Sequence, residues 1–193
     1  MKCSGALLAG GESRRMGSDK ADMLVGGAPL WKRQSAVLRE AGVDEVMVSG
    51  PDRAEWRDAG LIVVEDEQRA RGPVGGLVSV LRRAAHPLLL VLAVDMPSMT
   101  SSFLRTLVES AEAGAGVVPK IGERYEPLAA VYPAAALALA EECLSRGALS
   151  LQGFVAQAVA CGLVRERVVA ADDRALFFNL NTPADLASYA RSR

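Results

Sequence analysis

Histidine occurs once in this 193-residue chain, at His86, and cysteine only at Cys3, Cys143 and Cys161. A single histidine excludes H-E-x-x-H metal chemistry. A Ser-His-Asp triad would have to use His86, which stands just before Pro87 at the mouth of a predicted strand, where an ordinary loop histidine is expected. The cysteines are odd in number, far apart and without a C-x-x-C pair, so they fit reduced, mostly packed thiols rather than a disulfide frame or zinc site. Lysine is scarce as well, confined to Lys2, Lys20, Lys32 and Lys120. Nor is there an excess of charge of one sign: 22 Lys+Arg face 23 Asp+Glu, for a formal net charge of −1. That balance gives no electrostatic reason to expect a nucleic-acid partner. The apolar run 87–94 is too short to cross a bilayer, and the start of the chain has no signal-peptide core before Gly10-Gly11. A soluble cytoplasmic protein is therefore expected, with no membrane partner. Its chemistry must run on carboxylates, Lys, Arg and backbone amides, with or without a metal.

The hydrophobic content is 50%, which excludes general disorder. A chain of this length suits one domain and can bury roughly 70% of the surface its unfolded form exposes. Apolar runs alternate with helical periodicity, the α/β pattern. Strands are expected at 3–8, 43–48, 61–64 and 87–94, the last with Leu and Val so continuous that both its faces must be covered. Pro29 opens a helix with Leu30, Ala36, Val37, Leu38 and Ala41 as its stripe and Gly42 at its end; Pro73 opens another, ending in Arg82-Arg83. Thr100 or Ser101 caps a helix running to about Ala113. Further along, a strand pair at 117–119 and 127–132 flanks a polar turn, helices follow at 134–144 and 150–159, late strands at 164–169 and 177–180, and a closing helix at 182–189. Repeats and linkers are absent, so a single domain spanning 1–193 is expected.

The segment LLAGGESRRMGSDKA (7–21) departs most from ordinary α/β punctuation. A strand that ends in two glycines can turn tightly and present bare N–H groups to an anion. Arg14, Arg15 and Lys20 add cations within the same loop. The Walker A and G-x-G-x-x-G patterns both fail here, because Ser18-Asp19-Lys20 follows Gly17 and neither Gly10 nor Gly11 starts the required spacing. Phosphate binding and a solvated glycine-rich turn both fit these residues.

Asp95 directly follows the strongest strand, and Met96-Pro97 keeps the chain extended beyond it. Open α/β sheets bind ligands at such carboxyl ends. Ser98, Thr100 and Ser101 are better placed than Asp95 to cap the next helix, which favours a metal role for its carboxylate. Asp66, within Glu65-Asp66-Glu67, looks on pattern alone like part of a solvated loop, and Asp19 like a local counter-charge to Lys20. Asn179 and Asn181, in FNLNTP, sit at another expected strand end, where turn and cap chemistry before Pro183 is the plain alternative.

Five segments, in order and over nearly the whole chain, resemble the molybdenum cofactor guanylyltransferase family: LLAGGESRRMGSDK (7–20), GPVGGLVSVL (72–81), LAVDMP (92–97), EPLAAVYP (126–133) and NLNTPADL (179–186). The resemblance implies a Rossmann-like nucleotidyltransferase fold with a mostly parallel central sheet and helices on both faces. It implies transfer of GMP from GTP to molybdopterin, or its molybdenum-loaded form, with release of pyrophosphate and with Mg²⁺ as cofactor. Carried over by position, the backbone of Leu8, Ala9, Gly10 and Gly11 would contact the nucleotide and Lys20 would bind its phosphates; for the reaction itself, Arg15 would join Lys20 in stabilising charge on the leaving pyrophosphate. Asp66 would lie in the GTP site, Asp95 would hold Mg²⁺, and Asn179 and Asn181 would line the pterin side. Transient contact with molybdenum enzymes or cofactor-delivery proteins is also implied. The family often has Asn at the end of its second strand, where this chain has Ser49. Related cytidylyltransferases usually carry L-A-A-G; Gly10 in L-A-G-G leaves room for a purine, which favours guanine. Transfer of CMP to the same pterin, or of a nucleotide to another small-molecule phosphate, is the alternative.

Overall fold

Among the described residues, the first strand, β1 (Cys3–Leu8), is followed by a single 3-10 turn at Lys20–Asp22. A small hairpin follows, β2 (Leu24–Val25) and β3 (Ala28–Pro29), with Gly26 and Gly27 at φ 62° and 81° between them. Positive φ at both central positions is the pattern of a type I′ turn, which side chains other than glycine resist. Then come α1 (Leu30–Ala41), β4 (Glu45–Ser49), the short α2 (Ala54–Asp58), β5 (Ile62–Val64), α3 (Gly72–Arg83) and β6 (Leu88–Ala93). The second half runs through α4 (Ser101–Ser110), β7 (Gly116–Ile121), β8 (Arg124–Tyr125), β9 (Ala129–Pro133), α5 (Ala136–Ser145), α6 (Leu151–Ala160), β10 (Val164–Val168), a 3-10 turn at Ala171–Phe177 and α7 (Pro183–Arg191). These elements come from a computed structural model, which describes residues 2–9, 19–65, 72–112 and 114–191.

The strands form one mixed sheet in the order β10-β7-β9-β6-β1-β4-β5, with β8 on β7. β1 is parallel to β4 and to β6, while β9 is antiparallel to β6 and β7. Side-chain alternation sorts the two cores. Leu88, Leu90 and Leu92 join the cluster containing Leu30 and Leu38 of α1 and Phe103 and Leu104 of α4. Leu89 and Val91 join the one containing Leu77 of α3 and Phe154 of α6. Every residue of β6 is thus buried, as its unbroken apolar sequence requires. From β1 the chain steps outward through β4 to β5, then crosses back to place β6 on the other flank of β1. Strand order therefore reverses between β1 and β6, whose carboxyl ends are register partners, Leu8 opposite Ala93. In open α/β sheets such a reversal opens a ligand crevice beyond the strand ends.

Two local expectations are corrected. Residues 177–180 are not a strand: Phe177 closes a 3-10 turn, and the chain then runs extended over α4, where Phe177 meets Phe103 edge-on at 5.3 Å between ring centroids. Leu180 donates its N–H to the Asp95 carbonyl at 2.8 Å instead of to a neighbouring strand. In α1 the buried face is Leu30, Trp31, Gln34, Ser35, Leu38 and Ala41, and Ala36 is exposed. The i, i+4 rows through Leu30 and Trp31 set that face, so two of its members are polar.

Gly116 marks a close approach between β7 and β9. A Cβ there would stand 2.8 Å from the Val131 carbonyl carbon and 3.0 Å from the Tyr132 Cα, both backbone atoms with little room to yield. Gly116→Ala is expected to destabilise the protein by about 3 kcal/mol, the upper end of overpacking costs. Urea unfolding measures this, and an unchanged midpoint would contradict the close approach.

Candidate functional site

Asp95 leaves β6 at the crevice. The preceding residue is tied to β1 through Val94 N–H to the Leu8 carbonyl (3.1 Å), and the Asp95 carbonyl accepts from Leu180 N–H. Its carboxylate meets Lys20, whose Nζ donates to Asp95 Oδ2 at 2.9 Å and to Asn181 Oδ1 at 2.7 Å. Both members of the ion pair keep about a fifth of their side chains exposed, 21% and 19%, so the pair lies at the crevice surface and is not sealed in the core. Residues from the first loop, the central strand end and the C-terminal segment thus converge on one ammonium.

Each partner has a local support. Asp19 caps the 3-10 turn that carries Lys20, accepting from Ala21 N–H at 3.0 Å. Arg53, in the connection after β4, donates to both oxygens of Asp22 (2.8 and 2.9 Å) and to Asp19, with its guanidinium 4.7 Å from the Trp56 ring centre. The two carboxylates that flank Lys20 are therefore held by one fork-shaped cation. Asn181 is held by the capping box of α7: Asp185 Oδ2 accepts from Asn181 N–H (2.9 Å) and Thr182 N–H (2.8 Å), and Thr182 Oγ1 accepts from Asp185 N–H (3.1 Å). The Asn181 N–H, foremost among these donors, lowers the Asp185 pKa below its ordinary 3.8. The stabilisation linked to this shift is complete above the ordinary value and is lost as pH falls through the lowered folded value.

The expected site residues divide accordingly. Lys20, Asp95 and Asn181 come together. Asn179 does not join them; its amide donates to the Phe177 carbonyl at 3.1 Å, a local turn contact. Leu8 and Ala9 stand at the crevice edge, but the Leu8 carbonyl is engaged by Val94 and the Ala9 N–H donates to the Ser49 carbonyl at 3.0 Å. Gly10, Gly11, Arg14, Arg15 and Asp66 lie outside the described residues. His86 is remote: it precedes the amino end of β6, and its N–H donates to Ser4 Oγ. Arg53 was not anticipated, since an arginine after Pro51-Asp52 has no spacing that separates it from a solvated loop residue. Asp19 proves to be more than a counter-charge, because it caps the turn and binds Arg53.

Residues 5–161 match the model of the MobA-like NTP transferase domain. The chain belongs to this family. A protein from Opitutus terrae, named a probable molybdenum cofactor guanylyltransferase, is 41% identical over 187 residues, covering 94% of this chain and 92% of the relative. Molybdopterin-guanine dinucleotide biosynthesis protein A of Archaeoglobus fulgidus is similar in structure, with a TM-score of 0.75 at 21% identity over 98% of this chain and 100% of its own. A Mycobacterium tuberculosis protein solved as a complex with manganese has a TM-score of 0.67 at 18% identity, over 100% of both chains. This MobA-like chain is thus a nucleotidyltransferase, and Lys20 and Asp95 fall inside the matched residues. Asn181 and the α7 capping box lie beyond them, in the C-terminal segment.

Arg53→Met is expected to destabilise the protein by about 1 kcal/mol, since Asp19 and Asp22 lose their shared donor but are exposed enough for water to replace much of it. Adding Asp19→Asn and Asp22→Asn should recover part of the loss. Chemical denaturation of the set checks this; an Arg53→Met protein of unchanged stability would contradict the arrangement.

Proposed function

We propose that the protein transfers GMP from GTP to molybdopterin, or to its molybdenum-loaded form, and releases pyrophosphate. The observation that carries this reading is the meeting of Lys20, Asp95 and Asn181 beyond the β1/β6 strand ends, in a chain 41% identical to a probable molybdenum cofactor guanylyltransferase.

The reaction is an in-line attack by the terminal phosphate of the pterin on the α-phosphorus of GTP. That phosphate oxygen is already anionic near neutral pH, so no general base is needed. His86 could not serve in any case, because β6, six residues or about 20 Å long, separates it from the crevice. The protein must instead bring two anions together and offset charge on the leaving pyrophosphate. Lys20 supplies an ammonium, Arg15 is assigned to stabilise charge on the leaving pyrophosphate, and the backbone of Leu8, Ala9, Gly10 and Gly11 is assigned to the nucleotide on the family pattern. Asp66 is assigned to the GTP site, and Asn179 and Asn181 to the acceptor side, on the same basis.

Asp95 fits Mg²⁺ in a particular way. Among the described residues no three His, Cys, Asp or Glu side chains converge, so the described side chains form no cage. A single carboxylate that is about a fifth exposed suits a hard ion that retains water and takes its other ligands from phosphates. Bound there, the ion would offset charge on the triphosphate as the α–β bond breaks. We place the protein in the cytoplasm, where GTP is available; no helix among the described residues is long and apolar enough to cross a membrane.

Pyrophosphate release from GTP, CTP, ATP and UTP, each with and without molybdopterin and with Mg²⁺, tests the reading. Release is expected with GTP and the pterin together; release with CTP instead would assign the alternative nucleotide. Asp95→Ala is expected to fold and to lose about 100- to 1,000-fold in rate, and Lys20→Ala to raise the KM for GTP. Near-wild-type turnover by Asp95→Ala would contradict the metal assignment.

A further inference from the structure

Beyond Asp95 the chain makes a tight turn at 96–99, closed by Met99 N–H to the Met96 carbonyl at 3.1 Å. Met96, Pro97 and Met99 are buried. Three successive carbonyls in this stretch each receive a donor from a different part of the fold. The Asp95 carbonyl accepts from Leu180 N–H at 2.8 Å, the Met96 carbonyl from Gln34 Nε2, and the Pro97 carbonyl from Tyr189 Oη at 3.0 Å. Gln34 belongs to α1 and Tyr189 to α7, and their side chains enter the same core from two directions.

Neither donor is what stability alone would select. Gln34 is 1% exposed and occupies the inward row of α1 between Leu30 and Leu38, where leucine would bury more apolar surface without an amide to satisfy. The Met96 carbonyl already has Met99 as a donor, so the Gln34 bond is additional to the closure of the turn. Tyr189 is 7% exposed, and its ring stacks on Phe178 at 6.3 Å whether or not a hydroxyl is present. What the two polar groups add is direction, because hydrogen bonds fix the carbonyl orientations that apolar packing leaves free. Those orientations constrain the backbone that immediately follows Asp95.

We infer that Gln34 and Tyr189 are positioning residues that aim Asp95 for nucleotidyl transfer, an assignment that rests on the function proposed above. They act through the backbone that follows Asp95, where the Met96 and Pro97 carbonyls accept their hydrogen bonds. The C-terminal helix is in consequence part of the site's framework, with Asn181 at its start on Lys20 and Tyr189 near its end on Pro97.

Tyr189→Phe deletes one hydrogen bond and keeps the ring stack, Gln34→Met deletes the other at similar side-chain length, and Phe178→Leu removes the stack but keeps both bonds. Steady-state kinetics with GTP and molybdopterin should show kcat reduced about 10- to 100-fold in Tyr189→Phe and Gln34→Met with the KM for GTP within twofold, the size of effect a small misplacement produces. Phe178→Leu should lower Tm yet keep kcat within twofold. Hydrogen exchange supplies a reading independent of activity: the Leu180 amide should exchange about tenfold faster in the first two variants and not in Phe178→Leu. Unchanged exchange in Tyr189→Phe and Gln34→Met, or an equal fall in kcat in Phe178→Leu, would overturn the assignment. A wild-type protein inactive with GTP and pterin would overturn the functional reading alone and leave the exchange comparison to decide whether the clamp exists.

Discussion

The ion pair between Lys20 and Asp95, 75 residues apart in sequence and 2.9 Å apart in space, is the contact on which the site depends. A pair at this level of exposure contributes about 0–1 kcal/mol, because water competes for both charges. It is therefore a poor stabilising device and a good functional one. Separating the two groups costs little, so under the proposed function an arriving triphosphate would take the ammonium while the carboxylate became available to a cation. The surrounding supports are more numerous than the pair itself needs: Arg53 behind Asp19 and Asp22, Asp185 behind Asn181, and Leu180, Gln34 and Tyr189 behind the Asp95 segment.

Topology makes the meeting possible. β1 and β6 are neighbours only because the chain crosses back after β5, and that crossing is where the strand order reverses. Lys20 reaches the crevice from the loop after β1, Asp95 from the end of β6, and Asn181 from the segment that follows the last strand. The sheet contributes rigidity, since β6 is buried on both faces and paired on both edges. The one histidine, His86, lies at the opposite end of that strand from Asp95.

Sequence patterns disclosed the parts of this whose cause is local. β1 and the unbroken apolar β6 follow from composition, the α4 cap from Thr100, and Asp95 from its place after a strand and before Met96-Pro97. Lys20 stood out because lysine is rare and because it shares a loop with glycines and arginines. Contacts set by a second, distant element were not legible. Nothing near Asn181 announces that its oxygen receives Lys20 from 161 residues away. Arg53 carries no spacing signal, and Gln34, polar between Leu30 and Leu38, falls outside any apolar stripe of α1 although it is buried. Residues 177–180 have strand-like composition but lie across α4, where Leu180 pairs with the carbonyl of Asp95. Periodicity reports which face of an element is buried and says nothing of what opposes it.

The most direct test of the central claim is a crystal structure with a GTP analogue carrying an α,β-methylene bridge, together with Mg²⁺. The Lys20 ammonium should leave Asp95 for the phosphate oxygens, and the Asp95 carboxylate should turn to the cation. A triphosphate bound elsewhere, with the Lys20–Asp95 pair intact, would contradict it.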